Sequence, residues 1–179
     1  MRDYWEAMAI TPWQVEDLDR WTEGAVKKGA TAVVLRLSHP PTLEELWKWA
    51  ERWEGLPWLV HARWASQQLG YGMHFPAPPT SPGPKIAPSY LYGQSCHTPE
   101  EVALAAEWAS YVWIGSFFPT PSHPERPNLL SLETLKDLRR TYPTLPLVAV
   151  GGIDSEEKIG LVKEAGAWGF AGIRYFMSG

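Results

Sequence analysis

Cysteine is almost missing from this chain. Cys96 is the only one in 179 residues, so no disulfide can close within it. No apolar run approaches the roughly 20 residues that a membrane-spanning helix needs, and Met1-Arg2-Asp3-Tyr4-Trp5-Glu6 does not open into a secretory leader. No basic stretch interleaves with aromatics, and the formal net charge is −4, which argues against nucleic acid as a partner. These absences lead us to expect a cytoplasmic protein with neither a membrane nor a nucleic-acid partner. What the chain has in quantity is proline, 17 residues, and tryptophan, 11 residues. Trp47, Trp49, Trp53, Trp64 and Trp108 fall on predicted helices. They read either as large rings covering the wall of the fold or as a subunit interface.

Short apolar runs alternate with segments of helical period. Strands are predicted at Met8 to Thr11, Thr31 to Leu37, Pro57 to Ala62, Tyr71 to Phe75, Leu91 to Cys96, Tyr111 to Phe117, Leu147 to Val150 and Gly169 to Ile173. Helices are expected at Gln14 to Lys28, with Val15, Leu18 and Val26 inward, and after Thr42, whose capping-box partner is Glu45. Leu43, Leu46, Ala50 and Trp53 share a face of that second helix. Further helices are expected at Arg63 to Leu69, Thr98 to Ala109, Ser131 to Tyr142, and after Asp154, capped by its carboxylate with Glu157 completing the box. Residues 76 to 90 hold Pro76, Pro78, Pro79, Pro82, Pro84 and Pro88, which forbid a helix there. With Gly179 so close to the last strand, no full eighth helix is expected. Eight βα units with right-handed crossovers close into a compact (β/α)8 TIM barrel, a single domain over 1–179, its fourth and eighth helices missing or reduced. A doubly wound open sheet is the alternative. Bare wall beside the missing helices leads us to expect a homodimer.

The seventh strand runs straight into Gly151 and Gly152. A pair without Cβ atoms lets an anion approach the backbone N–H groups, and in barrels of this kind the loops after strands 7 and 8 often hold a phosphate. Arg174, just past the eighth strand, supplies a cation there. A tight strand-to-helix turn beside a surface arginine is the ligand-free alternative. All five histidines, His39, His61, His74, His97 and His123, fall at or just past a predicted strand end. In a parallel barrel these ends converge on the catalytic face, where imidazole suits proton transfer near neutral pH. Spacing does not choose among them. His61 and His74, on adjacent strand ends, are also a conceivable metal pair, though carboxylates are scarce nearby. Cys96 and His97 point to opposite faces of their strand, so the thiol reads as a packing residue.

Several runs resemble the thiamine-phosphate synthase and TenI family of barrels. Ser95-Cys96-His97-Thr98-Pro99-Glu100-Glu101 is similar to its Ser-Thr-His start of the fifth βα unit. Gly115-Ser116-Phe117-Phe118-Pro119-Thr120-Pro121-Ser122 is similar to its Gly-Pro-x-Phe-Pro-Thr-x-Thr segment. Val148-Ala149-Val150-Gly151-Gly152-Ile153 and Ala165-Gly166-Ala167-Trp168-Gly169 resemble its last strands. The likeness is clearest from Gly93 to Phe176; the first half fits through Leu35-Arg36, Leu59-Val60 and Gly72-Met73-His74.

The family's synthases join a pyrimidine pyrophosphate to a thiazole phosphate with magnesium. The resemblance implies a thiazole phosphate on Gly151, Gly152, Ile173 and Arg174, with Arg36, Ser95, Ser116, Thr120 and Ser122 contacting substrate. His123 stands where the family has a lysine, and His61-Ala62 where it has an Asn-Asp pair. The acidic residue after the strand-four histidine gives way to the proline-rich loop from Pro76. Both magnesium carboxylates are thus replaced, which leads us to expect no metal and no cofactor. That pattern resembles the TenI branch, which isomerises a thiazole carboxylate phosphate. The branch's strand-six histidine is Ser116 here, so a proton would pass through His74, His61 or His123. The expectation is a thiazole tautomerase acting on a small phosphorylated thiazole. The alternatives are a thiamine-phosphate synthase with altered metal site and a non-catalytic binder or regulator of the thiamine pathway.

Overall fold

A computed structural model describes residues 6–39, 41–62, 72–81, 83, 90–120 and 129–177. Eight strands close in sequence order, each parallel to its neighbours, with the first pairing the eighth. They are β1 (Ala7–Ile10), β2 (Ala32–Leu35), β3 (Trp58–His61), β4 (Gly72–Phe75), β5 (Leu91–Cys96), β6 (Tyr111–Ile114), β7 (Leu147–Val150) and β8 (Gly169–Gly172). The sheet is therefore a barrel and not an open doubly wound sheet. Among the described residues, no helix is long and apolar enough to cross a membrane.

Strand alternation divides the apolar residues into two bodies. Met8, Ile10, Ala32, Val34, Leu59, Tyr111, Trp113, Val148 and Ala171 fill the barrel interior. Their neighbours in sequence, among them Ala9, Val33, Val60, Val112 and Ala149, belong to the larger body beneath the helices. Among the described residues the helices are α1 (Leu18–Lys27), α2 (Leu43–Arg52), α3 (Pro99–Ala105), α4 (Leu132–Thr141), α5 (Glu156–Glu164) and α6 (Arg174–Met177). Thr42 and Glu45 form the expected capping box of α2, Thr98 and Pro99 open α3, and Ser131 caps α4. The tryptophans of α2 stitch the wall. Trp49 Nε1 donates to the Thr22 hydroxyl at 3.0 Å, and Trp53 Nε1 to Asp19 at 2.8 Å. Trp47 remains 59% exposed.

Three local expectations are corrected. Helix α1 starts at Leu18, capped by Asp17, and not at Gln14. Its buried face is then Thr22 and Ala25, and Val26 is exposed. Leu43 is exposed at the first turn of α2, while Leu46 and Trp49 are buried. Ser155, not Asp154, caps α5; the Asp154 carboxylate is held instead by Lys158 at 2.6 Å. The helix expected at Arg63 to Leu69 lies outside the described residues. No helix is found among residues 76–81 and 83, and residues 82 and 84–89 of the proline-rich stretch lie outside the described residues. Helix α6 has four residues, which matches a reduced eighth helix. Gly83 seats directly on the Trp108 ring, where a Cβ would come within 2.4 Å. Trp108 in turn meets Phe75 edge-on, so the wall at β4 and β5 is partly covered by the chain itself.

Candidate functional site

A cavity of about 980 Å3 opens at the carboxyl ends of the strands, where barrels of this architecture carry their chemistry. His61, Ser95, Trp113 and Val150 reach it from β3, β5, β6 and β7. Of the residues expected from sequence, Arg36, His61, Ser95, Ser116, Thr120, Gly151, Gly152, Ile173 and Arg174 all line it. His74 does not, and Ser122 and His123 lie outside the described residues.

The turn after β7 is dictated by contact on both its residues. Gly151 has φ 95° and Gly152 φ 72°, the left-handed region that side chains resist. A Cβ on Gly151 would sit 2.4 Å from Ser116 Oγ, and one on Gly152 2.4 Å from the Phe118 carbonyl oxygen. The turn is thus pressed against the loop after β6. Phe118 N–H donates to the Gly151 carbonyl at 3.3 Å. Arg174 donates to Thr120 Oγ1 at 3.2 Å, tying the end of β8 to that loop. Asp154 also lines the cavity. The hydrogen bond from Lys158 holds its carboxyl below the usual range, and the charge of Arg174 adds to this.

His74 lies one layer deeper and is fully buried. Its Nδ1 is 2.9 Å from the Tyr111 hydroxyl, its Nε2 is 2.8 Å from Ser95 Oγ, and its ring stacks on Trp113 at 3.6 Å. Strands β4 and β6 flank β5, and their side chains meet because Gly93 lies between them. A Cβ there would be 2.1 Å from the Tyr111 ring and 2.5 Å from His74 Nδ1. Burial, with the nearby His61 as a smaller cause, pushes the His74 pKa well below its ordinary value. Burial likewise raises the Tyr111 phenol well above its own. Both rings are neutral, and the chain Tyr111–His74–Ser95 ends in a hydroxyl at the cavity. Neutral imidazole has one donor and one acceptor nitrogen, so His74 holds Ser95 in place and takes no proton from a ligand directly. Both its nitrogens are engaged, which removes it from the metal pair conceived with His61.

Linkage turns this burial into a pH effect. The folded-state pKa of His74 is depressed, so below ~6.5 the unfolded chain binds the extra proton and the folded chain does not. Stability from this residue is complete above that pH and falls as pH drops, with a limiting slope of about 1.4 kcal/mol per pH unit. Urea unfolding between pH 7.5 and 5 measures it, and His74→Gln is expected to flatten the curve.

From sequence His97 is one of five strand-end histidines suited to proton transfer, with nothing to single it out. It lines the cavity, and its Nδ1 is 2.7 Å from the Gly115 carbonyl oxygen. A carbonyl only accepts, so Nδ1 carries the proton and Nε2 is left as a base. The carbonyl partner, 18 residues away, is what no sequence signal announced. Cys96 is buried behind it. Burial first, then Glu101, pushes its thiol up to about 12, which fits the packing role. At the opposite rim the Arg36 guanidinium lies 5.7 Å from the Trp13 ring centroid, and the backbone N–H of Arg36 donates to Thr11 Oγ1 at 2.7 Å.

The described lining does not fit a divalent ion of the kind that accompanies a pyrophosphate. Such ions require several oxygen ligands. Among the described residues no three His, Cys, Asp or Glu side chains group to share one, and Asp154 is committed to Lys158.

Known proteins supply the remaining comparison. A family profile described as "TMP-TENI: Thiamine monophosphate synthase" matches residues 7–176. A thiamine-phosphate synthase of Methanococcus vannielii is 32% identical over 162 residues, 84% of this chain and 75% of that protein. A putative thiamine-phosphate synthase 2 of Aquifex aeolicus is 35% identical over 109 residues, 59% of this chain. The matched stretch spans 57% of that relative's length and 36% of an Acidithiobacillus ferrooxidans thiamine-phosphate synthase. Among solved structures, a thiamine phosphate pyrophosphorylase from Pyrococcus furiosus superposes with a TM-score of 0.72 at 23% identity, covering 96% of this chain and 86% of that one; this likeness bears on the fold alone. Matched along nearly all of its length, the chain belongs to the thiamine monophosphate synthase family.

Proposed function

We propose that this protein binds a phosphorylated thiazole and moves a proton between two of its carbons, as a thiazole tautomerase of thiamine biosynthesis. The observation that carries the reading is the sharing of one cavity by the Gly151–Gly152 turn, Arg174 and the imidazoles of His61 and His97. The phosphate sits on the turn with Arg174 as its cation. One of the two imidazoles removes the ring proton and returns it to the second carbon, so charge and protons balance without a metal or redox partner. Ser95, steadied by His74, hydrogen-bonds the ring substituent, and Ser116 and Thr120 border the phosphate end. His123 and Ser122, also named from sequence, lie outside the described residues. The pure protein in deuterated water is expected to exchange the ring proton of a thiazole carboxylate phosphate, followed by proton NMR. His61→Asn and His97→Asn are both to be compared, and loss of the acting base is expected to slow exchange by about 10²–10⁴-fold. Exchange no faster than in buffer contradicts the reading.

The relatives named thiamine-phosphate synthases favour a second reading, a thiamine-phosphate synthase. Magnesium-dependent product from a pyrimidine pyrophosphate and a thiazole phosphate would establish it. Tight thiazole phosphate binding without either reaction would establish a binder. The homodimer belongs to the same proposal, with Trp47 and Leu43 on the exposed face of α2 as its contact.

A further inference from the structure

We propose that Lys158 is a positioning residue of the anion site: by holding the carbonyl of Gly152 it turns the N–H of Ile153 into the cavity. This inference rests on the phosphate reading above and names the backbone groups that do the binding. In a trans peptide the carbonyl and the following N–H point in opposite directions. Among the described residues, the cis bonds are Ala77–Pro78 and Gly115–Ser116, so the two peptides of the glycine turn are trans. The first has its carbonyl taken by Phe118 N–H at 3.3 Å. The second has its carbonyl taken by Lys158 Nζ at 3.0 Å. Each grip fixes the opposite N–H, that of Gly152 in the first case and of Ile153 in the second. Among the described residues neither N–H donates to a backbone carbonyl. Gly152 and Ile153 line the cavity, whereas Lys158 is not part of its lining and reaches the carbonyl from behind. The anion-binding pair is therefore Gly152 and Ile153, one residue further along than the glycines themselves suggest.

The lysine is unusual where it stands. It is the third residue of α5, where a cation opposes the helix dipole. Two contacts offset that cost: the Asp154 carboxylate at 2.6 Å and the Phe118 ring, whose centroid is 5.5 Å away. Together they clamp the loop after β7 to the loop after β6. Ordinary surface lysines gain nothing comparable. The side chain is 29% exposed.

The test is a titration with inorganic phosphate followed by amide 15N–1H shifts, on the wild type and on Lys158→Met, Lys158→Arg and Asp154→Asn. Methionine keeps the unbranched stem against Phe118 and removes the ammonium. In the wild type the Gly152 and Ile153 amides are expected to move downfield together. In Lys158→Met the Ile153 response is expected to vanish while that of Gly152 persists, with affinity about tenfold weaker. Lys158→Arg keeps a donor and is expected to restore the Ile153 response; Asp154→Asn keeps the carbonyl grip and retains it. These two variants carry the test if Lys158→Met does not fold. An Ile153 response in Lys158→Met equal to that of the wild type overturns the proposal, as does its loss in Asp154→Asn. If neither amide of the wild type responds, the anion site itself is wrong and the role of Lys158 falls with it.

Discussion

Gly152→Ala is expected to abolish binding of a phosphorylated ligand while leaving a folded barrel. The new methyl would lie 2.4 Å from the carbonyl oxygen of Phe118 and 2.7 Å from its carbonyl carbon. Backbone cannot yield as the end of a flexible side chain can. The left-handed conformation at φ 72° adds about 1–2 kcal/mol for any residue with a Cβ. The turn must rotate away from the loop after β6, and with it go both amides pinned by Phe118 and Lys158. The β7 strand before it and the α5 helix after it have their own partners, so a loss of about 2–4 kcal/mol in stability is expected together with at least a hundredfold loss in affinity. Thermal melts and calorimetric titration with thiazole phosphate separate the two. Gly160→Ala is the control: it is helical, nothing lies within 4 Å of its added Cβ, and alanine is favoured there by about 1 kcal/mol. Undiminished affinity in Gly152→Ala would remove the turn from the binding site.

His74→Leu carries the second large effect, and it is first an effect on stability. Leucine takes a partner from the buried Tyr111 hydroxyl and from Ser95 Oγ, and disturbs the stack on Trp113. A loss of about 2–4 kcal/mol is expected from urea unfolding, against about 1 kcal/mol for Tyr111→Phe. The pH profile discriminates a positioning residue from a base. Because His74 is neutral throughout the working range, the acid limb of turnover in His74→Gln is expected to stay where the wild type has it, with turnover lowered through Ser95. A displaced limb would make His74 the acid/base after all. Gly93→Ala should reproduce the loss of the Tyr111–His74 contact without touching either residue, since its methyl occupies the gap in which they meet.

The parts of the fold set by local chemistry were readable from sequence. Leu147 to Val150 was bounded correctly because it is apolar, buried and cut off by two glycines. Thr42-Leu43-Glu44-Glu45 and Thr98-Pro99 opened helices as their caps required. Closure of the barrel followed from eight alternating units. Boundaries failed where a side chain had a better partner elsewhere. Asp154 was a plausible cap, but Lys158 claims its carboxylate and Ser155 caps in its place. Val26 fits a helix counted from Gln14, yet Asp17 caps α1 and sets another face.

For the candidate site, sequence placed the histidines at strand ends but not their depth along the barrel axis. Period two tells inside from outside, and His61 and His74 are register partners that both face inward. What sends one to the cavity and the other beneath it is the gap left by Gly93, a relation across three strands. Nothing in the sequence singles out His97, for the same kind of reason. Its tautomer is set by a carbonyl on the neighbouring strand's loop, and no local pattern encodes that.

A crystal structure of the complex with thiazole phosphate tests the central claim most directly. The expected result is phosphate oxygens within about 3 Å of the Gly152 and Ile153 amides and of the Arg174 guanidinium, with the ring lying toward His61 and His97. Phosphate held instead at the far rim by Arg36 and Trp13, or a ring lodged beyond reach of both imidazoles, would contradict it.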